Sequence, residues 1–209
     1  MVIVLDANPE IVSKKALFTK VFSEAYKGII EYRPQSNVTE VDSRSLTAIT
    51  EVGDRVRADV LNVVPPQRAA ALARHAGLVN VNARWCRVDW MTLESTAVPG
   101  IHVLGDATFS ASAMPKSGHM ANQHGKVAAA AIIETLSGRA PLAPTMTNTC
   151  YSFIDDRHVI HVASVHRWVP EKKTVEVVPG SSGVSSEPNL LEGLYANAWA
   201  ANLWKDMLG

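Results

Sequence analysis

The apolar positions of this chain fall into short runs and two long periodic stretches. Val2–Leu5 is a four-residue apolar run closed by Asp6, the pattern of a buried strand. Ser13 then opens a helical pattern, with Leu17, Val21 and Ala25 four apart and Gly28 as its stop. A strand, an acid at its carboxyl end and a helix make the second step of a dinucleotide-binding fold, without the first strand and its GxGxxG turn. The chain therefore reads as starting inside such a domain, although an ordinary α/β unit accounts for the same residues. Short β-rich runs recur over residues 29–64. Residues 51–54 predict a hairpin turn between strands at 45–49 and 55–58, and residues 60–64 predict a further buried strand. Pro66 stands at the first position of a helix that Gly77 ends, because its missing N–H would be unsatisfied there anyway. Residues 80–99 carry no clear period and read as irregular structure with short strands.

The stretch IHVLGDATFSASAMPKSGHMANQHGKVAAAAIIETLSG, residues 101–138, is the most informative. A short apolar strand ends in Gly105-Asp106, a loop of small residues follows, and Lys116 or Ser117 starts a long helix stopped by Gly138. Pro141 and Pro144 mark a linker. Beyond it, residues 151–169 and 174–178 predict antiparallel strands, residues 181–186 a flexible loop, and Pro188 opens a last helix. In that helix Leu191, Leu194, Tyr195, Ala198, Trp199, Leu203 and Met207 form one apolar stripe, broadened by Trp204. Such a stripe is either a core face or a contact surface, since aromatics are enriched in both. The expected class is α/β followed by α+β.

Composition narrows the function. Twenty Lys+Arg balance twenty Asp+Glu, and no basic stripe stands out, which argues against nucleic acid as the partner. Charged residues are 19 % of the chain, below the roughly 25 % of soluble domains, leaving room for part of the surface to be covered by another chain. The longest apolar run, residues 127–133, falls far short of the roughly 20 residues that span a bilayer. The opening MVIVLDANPE has no basic region and is not a secretory signal. Cys86 and Cys150 lie without CxxC spacing, which excludes a disulfide framework and a zinc ribbon. His119 and His124, and His158 and His161, lack a third ligand at diagnostic spacing, so no metal site is expected.

Two places can carry chemistry. A carboxylate directly after a buried strand, with Gly before it and small residues after it, suits a close backbone approach to a polyhydroxyl or phosphate ligand; Gly105-Asp106 fits that, or is simply a turn. Lys116-Ser117-Gly118 precedes a helix whose N-terminus offers free N–H groups and a positive dipole end. An anion or an electron-rich ring edge fits there, as the pyrimidine ring of a reduced flavin would, whereas a structural Lys116 would merely be a solvated first-turn lysine. Cys150 in NTCYSF and Cys86 in RWCRVDW each read most simply as small buried hydrophobes, with a reactive thiol as the other reading.

The segments VLDANPEIVSKKALF, ADVLNVVPPQRAA, ESTAVPGIHVLGDAT, MPKSGHMANQHGKVAAAA and NTCYSF, taken in order, resemble the flavoprotein subunit of flavocytochrome c sulfide dehydrogenases. The resemblance runs over essentially the whole chain. It implies a partial two-dinucleotide-binding-domain flavoprotein, glutathione-reductase-like and related to sulfide:quinone oxidoreductase, with a C-terminal α+β domain. Residues 1–64 would be the remainder of an NAD-type domain, 65–140 the closing segment of the FAD-binding domain, and 141–209 the C-terminal domain. The enzyme so implied is periplasmic, oxidises sulfide with FAD and passes electrons to a c-type cytochrome subunit. Gly105 and Asp106 would bind the ribityl and pyrophosphate region, Pro115, Lys116 and Ser117 would lie by the isoalloxazine ring, and Pro66 and Gln67 would approach the ring from the other domain. Cys150 would be one half of a redox-active disulfide that sulfide attacks, giving a persulfide and a thiolate. The GxGxxG turn, the cysteine that attaches the flavin and the partner of Cys150 belong to an N-terminal half that is missing here. Cys86 sits in a different motif and does not stand in for that partner. Two alternatives remain: a sulfide:quinone oxidoreductase-like enzyme whose last helix lies on a membrane, disfavoured by the lack of a Lys/Arg-rich face, and a redox-inactive structural or interaction module.

Overall fold

In the computed structural model, which describes residues 1–209, the chain divides into two compact units, Met1–Pro65 and Pro66–Gly209. The first unit begins with a parallel pair, β1 (Val2–Leu5) and β2 (Ile30–Arg33), in register Val2↔Ile30 to Leu5↔Arg33. Helix α1 (Lys15–Ser23) crosses between them and buries Val21. A parallel pair needs such a crossover; the strand and the helix read from this segment both form, and β2 completes the unit. Asp6 closes β1 as expected, and its carboxylate accepts a hydrogen bond from the Tyr32 hydroxyl at 2.8 Å. Three antiparallel strands follow, β3 (Val38–Asp42), β4 (Thr47–Thr50) and β5 (Arg55–Arg57), with Gly53 at φ 91° in the β4–β5 turn.

The expected strand at residues 60–64 does not form. Val60 and Val64 are 85 % and 79 % exposed, and no neighbouring strand offers the run a ladder. β-branched side chains favour extended backbone, but a strand also needs a partner for its hydrogen bonds.

In the second unit the helix expected from Pro66 shrinks to α2 (Ala71–His75), with Gly77 past its end at φ 71°. The intervening residues bond elsewhere. Ala69 N–H donates to the Arg84 carbonyl at 2.8 Å, and the Arg84 guanidinium donates back to the Gln67 carbonyl. Residues 101–104 make a single bridge, His102 to Glu94, rather than a strand, and end in a short 3-10 turn, Gly105–Ala107. Helix α3 (Gly118–Leu136) starts one residue after its cap Ser117 and ends before Gly138, at φ 72°. It buries Met120, His124, Ala128 and Ala131, one face at helical spacing.

A four-stranded antiparallel sheet completes the unit: β6 (Thr145–Phe153), β7 (Val159–Val169), β8 (Thr174–Val177) and β9 (Gly183–Val184), the last two both pairing with β7. β6 starts at Thr145 rather than at 151. The serine-rich segment read as a flexible loop contains β9, because its hydroxyls satisfy local backbone: Ser181 Oγ donates to the Val178 carbonyl at 2.7 Å, and Ser185 Oγ accepts from His161 N–H at 2.7 Å.

Helix α4 (Leu190–Leu208) lies on β7, through only part of the expected stripe. Its buried residues are Gly193 and Ala196, while Leu191, Leu194, Tyr195, Trp204 and Met207 are all more than half exposed. The core reading of that stripe therefore holds only for Trp199 and Leu203, which are half-buried, and is corrected for the exposed members. A Cβ at Gly193 would overlap the Arg157 carbonyl, so the helix docks closely by its small residues, with Trp199 packed inward on His119 and Tyr151 and the other large residues named above turned outward.

Candidate functional site

Gly105 is the pivot of the site. It is buried at φ 61°, a conformation that disfavours L side chains, and a Cβ there would stand 3.0 Å from the Ala121 Cβ on α3. Its N–H donates to His124 Nδ1 at 3.0 Å, and its carbonyl accepts from Thr108 Oγ1 at 2.8 Å. His124 is 2 % exposed and stacks edge-on against Trp90, with ring centroids 5.4 Å apart. Burial, reinforced by the Lys116 and His166 charges, brings its pKa down to about 4, so the ring is neutral and Nδ1 is free to accept.

Lys116 is exposed, but its ammonium is held within the chain. Its Nζ donates to the Asp106 carbonyl at 2.7 Å and the Thr108 carbonyl at 2.6 Å, and lies 4.0 Å from the centre of the Trp85 ring. Burial pulls its pKa down, and the Asp106 carboxylate opposes that. The Arg84 guanidinium sits 5.3 Å from the centre of the same indole and bonds the Gln67 carbonyl. Gln67 and Lys116 are thus linked through Arg84 and Trp85. The Asp106 carboxylate itself is exposed and makes no hydrogen bond within the chain. Gly105, Asp106, Pro115 and Lys116 line one small depression; a larger cleft of about 780 Å³ bounded by Arg87, Phe109, Trp168 and Lys173 contains none of them.

The start of α3 is tied to β6 by two bonds. Ser117 Oγ accepts from Met120 N–H at 3.1 Å, the helix cap, and donates to Asn148 Oδ1 at 2.6 Å. His119 Nδ1 accepts from Thr149 N–H at 3.0 Å. Asn148 Nδ2 in turn donates to Cys150 Sγ at 3.3 Å. Cys150 is half-buried and Cys86 fully buried, both as free thiols. Cys86 belongs to the core: burial pushes its thiol up, and its backbone bonds Ala107 and Phe109 on either side of Thr108. The sequence reading missed Trp85, Arg84, His124 and Asn148. Only Asn148 carried a local signal, two residues before Cys150 on a strand and so on its face.

The mixed α/β fold is that of a glutathione-reductase-like flavoprotein. The sulfide:quinone oxidoreductase of the hyperthermophile Aquifex aeolicus superposes with a TM-score of 0.67 at 14 % identity, covering 98 % of this chain and 49 % of that one. Putidaredoxin reductase, in a covalent complex with putidaredoxin, gives 0.55 at 15 % identity, covering 88 % of this chain and 49 % of that one. The chain spans about half the length of these structures, and at such identities the likeness is one of fold. The sequence is more particular. Residues 1–65 match the model of the central domain of the sulfide dehydrogenase (flavocytochrome c) flavoprotein chain, and residues 142–208 that of the flavin-binding domain of flavocytochrome c sulphide dehydrogenase. The chain belongs to the flavocytochrome c sulphide dehydrogenase flavoprotein family.

Proposed function

We propose that this chain is the C-terminal part of an FAD-dependent sulfide dehydrogenase, working in the periplasm and passing electrons from sulfide to a c-type cytochrome subunit. In that reading residues 1–64 complete an NAD-type domain, 65–140 close the FAD domain, and 141–209 form the C-terminal domain. What carries it is the path from the depression lined by Gly105, Asp106, Pro115 and Lys116, through Ser117 and Asn148, to the Cys150 thiol.

The residues present fit a flavin. Asp106 offers an exposed carboxylate with no internal partner, as ribityl hydroxyls require, and a Cβ at Gly118 would meet nothing within 4 Å. FAD bound there would supply the two-electron acceptor. Asp106 would accept from the ribityl chain, with the Gly105 backbone closing against it. Pro115, Ser117 and the first-turn amides of α3 would face the ring edge, and Lys116 would add positive charge from beneath the turn. Pro66 and Gln67 would flank the ring on the far side. Cys150 would be one sulfur of the redox pair, its partner and the glycine-rich turn being contributed by an N-terminal half.

Co-expression with such a half tests the reading. We expect the chain alone to bind FAD weakly or not at all, and the reassembled enzyme to be yellow and active. Asp106→Ala should then lose flavin, since an unpaired buried hydroxyl costs about 1–3 kcal/mol. Cys150→Ser should keep a flavin that dithionite reduces while sulfide oxidation stops. A serine variant that still oxidises sulfide sinks the assignment, and a colourless reassembled complex returns the chain to a redox-inactive module. The exposed apolar face of α4 supports a second reading, a membrane quinone as acceptor, against which its lack of a Lys/Arg-rich face counts; activity with quinone but not with cytochrome c would establish it.

A further inference from the structure

The polar groups between α3 and Cys150 all point their protons the same way. Met120 N–H can only donate, so Ser117 Oγ accepts from it and has its own proton left for Asn148 Oδ1. With Oδ1 so occupied, the amide nitrogen of Asn148 faces Cys150 Sγ and donates to it. Turning the amide over would leave the Ser117 proton without an acceptor and set an oxygen against the sulfur. Asn148 is 3 % exposed, so water cannot rescue the alternative.

We infer that Asn148 is a positioning residue for Cys150, relaying the positive end of α3 through the Ser117 hydroxyl onto the sulfur. Each donor in such a chain polarises the next, and an acceptor at its end gains from this, a charged one most. In the thiol form the weaker contact applies, Cys150 S–H to Asn148 Oδ1 at 3.6 Å, on an oxygen already holding Ser117. Asn148 and Cys150 share one face of β6, opposite Ser164 and Val162 of β7, so the strand fixes their separation. Cys86 has no such donor and sits in an apolar core. The relevance of this relay to sulfide chemistry rests on the proposed function; the relay itself does not.

The test uses the whole 209-residue chain without flavin or sulfide. Iodoacetamide alkylation of Cys150 at neutral pH is followed by mass analysis of its peptide, alongside the ultraviolet absorbance of the thiolate. Asn148→Ala should slow alkylation about tenfold, the worth of one hydrogen bond to a charged group. Asn148→Asp should slow it further, because a carboxylate keeps the Ser117 bond but gives the sulfur no proton and a like charge. Ser117→Ala, one step upstream, should cost about threefold, and Ser117→Thr, which keeps the hydroxyl, should restore the rate. Wild-type rate and absorbance in Asn148→Ala would overturn the relay. Should circular dichroism show the Asn148 variants unfolded, the Ser117 pair decides, and equal rates in Ser117→Ala and Ser117→Thr overturn it. A relay that holds while reassembled Cys150→Ser still oxidises sulfide would leave Asn148 in place and remove only the functional reading.

Discussion

Helices α3 and α4 are the same length, 19 residues each, lie in the same unit, and are each capped by a polar side chain, Ser117 and Asn189. Their N-termini are nevertheless in opposite states. At α4 the cap closes on itself: Asn189 Oδ1 accepts from Glu192 N–H at 2.9 Å, and Asn189 Nδ2 donates to Glu192 Oε1 at 3.1 Å. Burial pushes the Glu192 carboxyl up, but hydrogen bonds from Ser185, His161 and Asn189 outweigh it and hold the group below its usual range. That carboxylate neutralises the positive end of its helix. The first turn of α3 contains no acid, and its cap passes the hydrogen bond outward to Asn148. One helix end is neutralised by its own carboxylate, and the other has no acid in its first turn to offset its dipole.

The largest break in this comparison comes from the docking of α4. Gly193→Ala sets a methyl against the Arg157 carbonyl, a backbone atom that cannot rotate away. We expect a loss of about 3 kcal/mol or more in urea unfolding, at the upper end of overpacking effects. A midpoint close to wild type would show that α4 shifts freely on β7.

Acid separates the two helices next. His124, on α3, titrates at about 4 in the folded chain against 6.5 in the unfolded one. Between those values the unfolded chain holds more protons, so stability is complete above pH 6.5 and falls as the pH drops toward 4. The difference amounts to about 3 kcal/mol at the acid end. The groups facing His124 are Lys116 and His166, and burial lowers His166 and His119 in the same direction. His124→Gln keeps an acceptor for Gly105 N–H without the titration, so its acid limb should be shallower. An unchanged limb would place the acid sensitivity elsewhere.

Much of the α3 region was legible because its signals are local. Ser117 and Gly138 punctuate the helix, and GDA and PKSG carry the turn and cap in adjacent residues. Gly53 marked its hairpin in the same way. Residues 145–150 of β6 were hidden by their polar character after two prolines, and β9 by its serines. The orientation of α4 was illegible for a different reason: a stripe shows that a helix has an apolar face, and only the tertiary contact at Arg157 decides which face is buried. His124, Arg84 and Trp85 join the site through partners 19, 17 and 31 positions away, which no spacing rule reaches.

Removing the caps compares the two N-termini directly. Ser117→Ala and Asn189→Ala should each cost about 1 kcal/mol in thermal or urea unfolding, the usual worth of a cap. Only the first should change Cys150 alkylation. Equal chemical effects in both would mean that the sulfur responds to general loosening rather than to the Ser117 bond.

The smallest effect has the opposite sign. Gly125 lies inside α3 with ordinary helical backbone, and a Cβ there meets nothing within 4 Å, whereas the same Cβ on Gly193 strikes backbone. Alanine restricts the unfolded chain and favours helix over glycine, so Gly125→Ala should stabilise the chain by about 0.5–1 kcal/mol. Glycine at 125 is therefore a local weakness in α3, while glycine at 193 is a requirement of packing in α4. A matched pair of Gly→Ala variants with opposite shifts in urea midpoint would show that α3 is held by its first turn and buried face, leaving its Gly125 side open. Destabilisation by Gly125→Ala would instead require a close neighbour on that side of α3, and would erase this difference between the two helices.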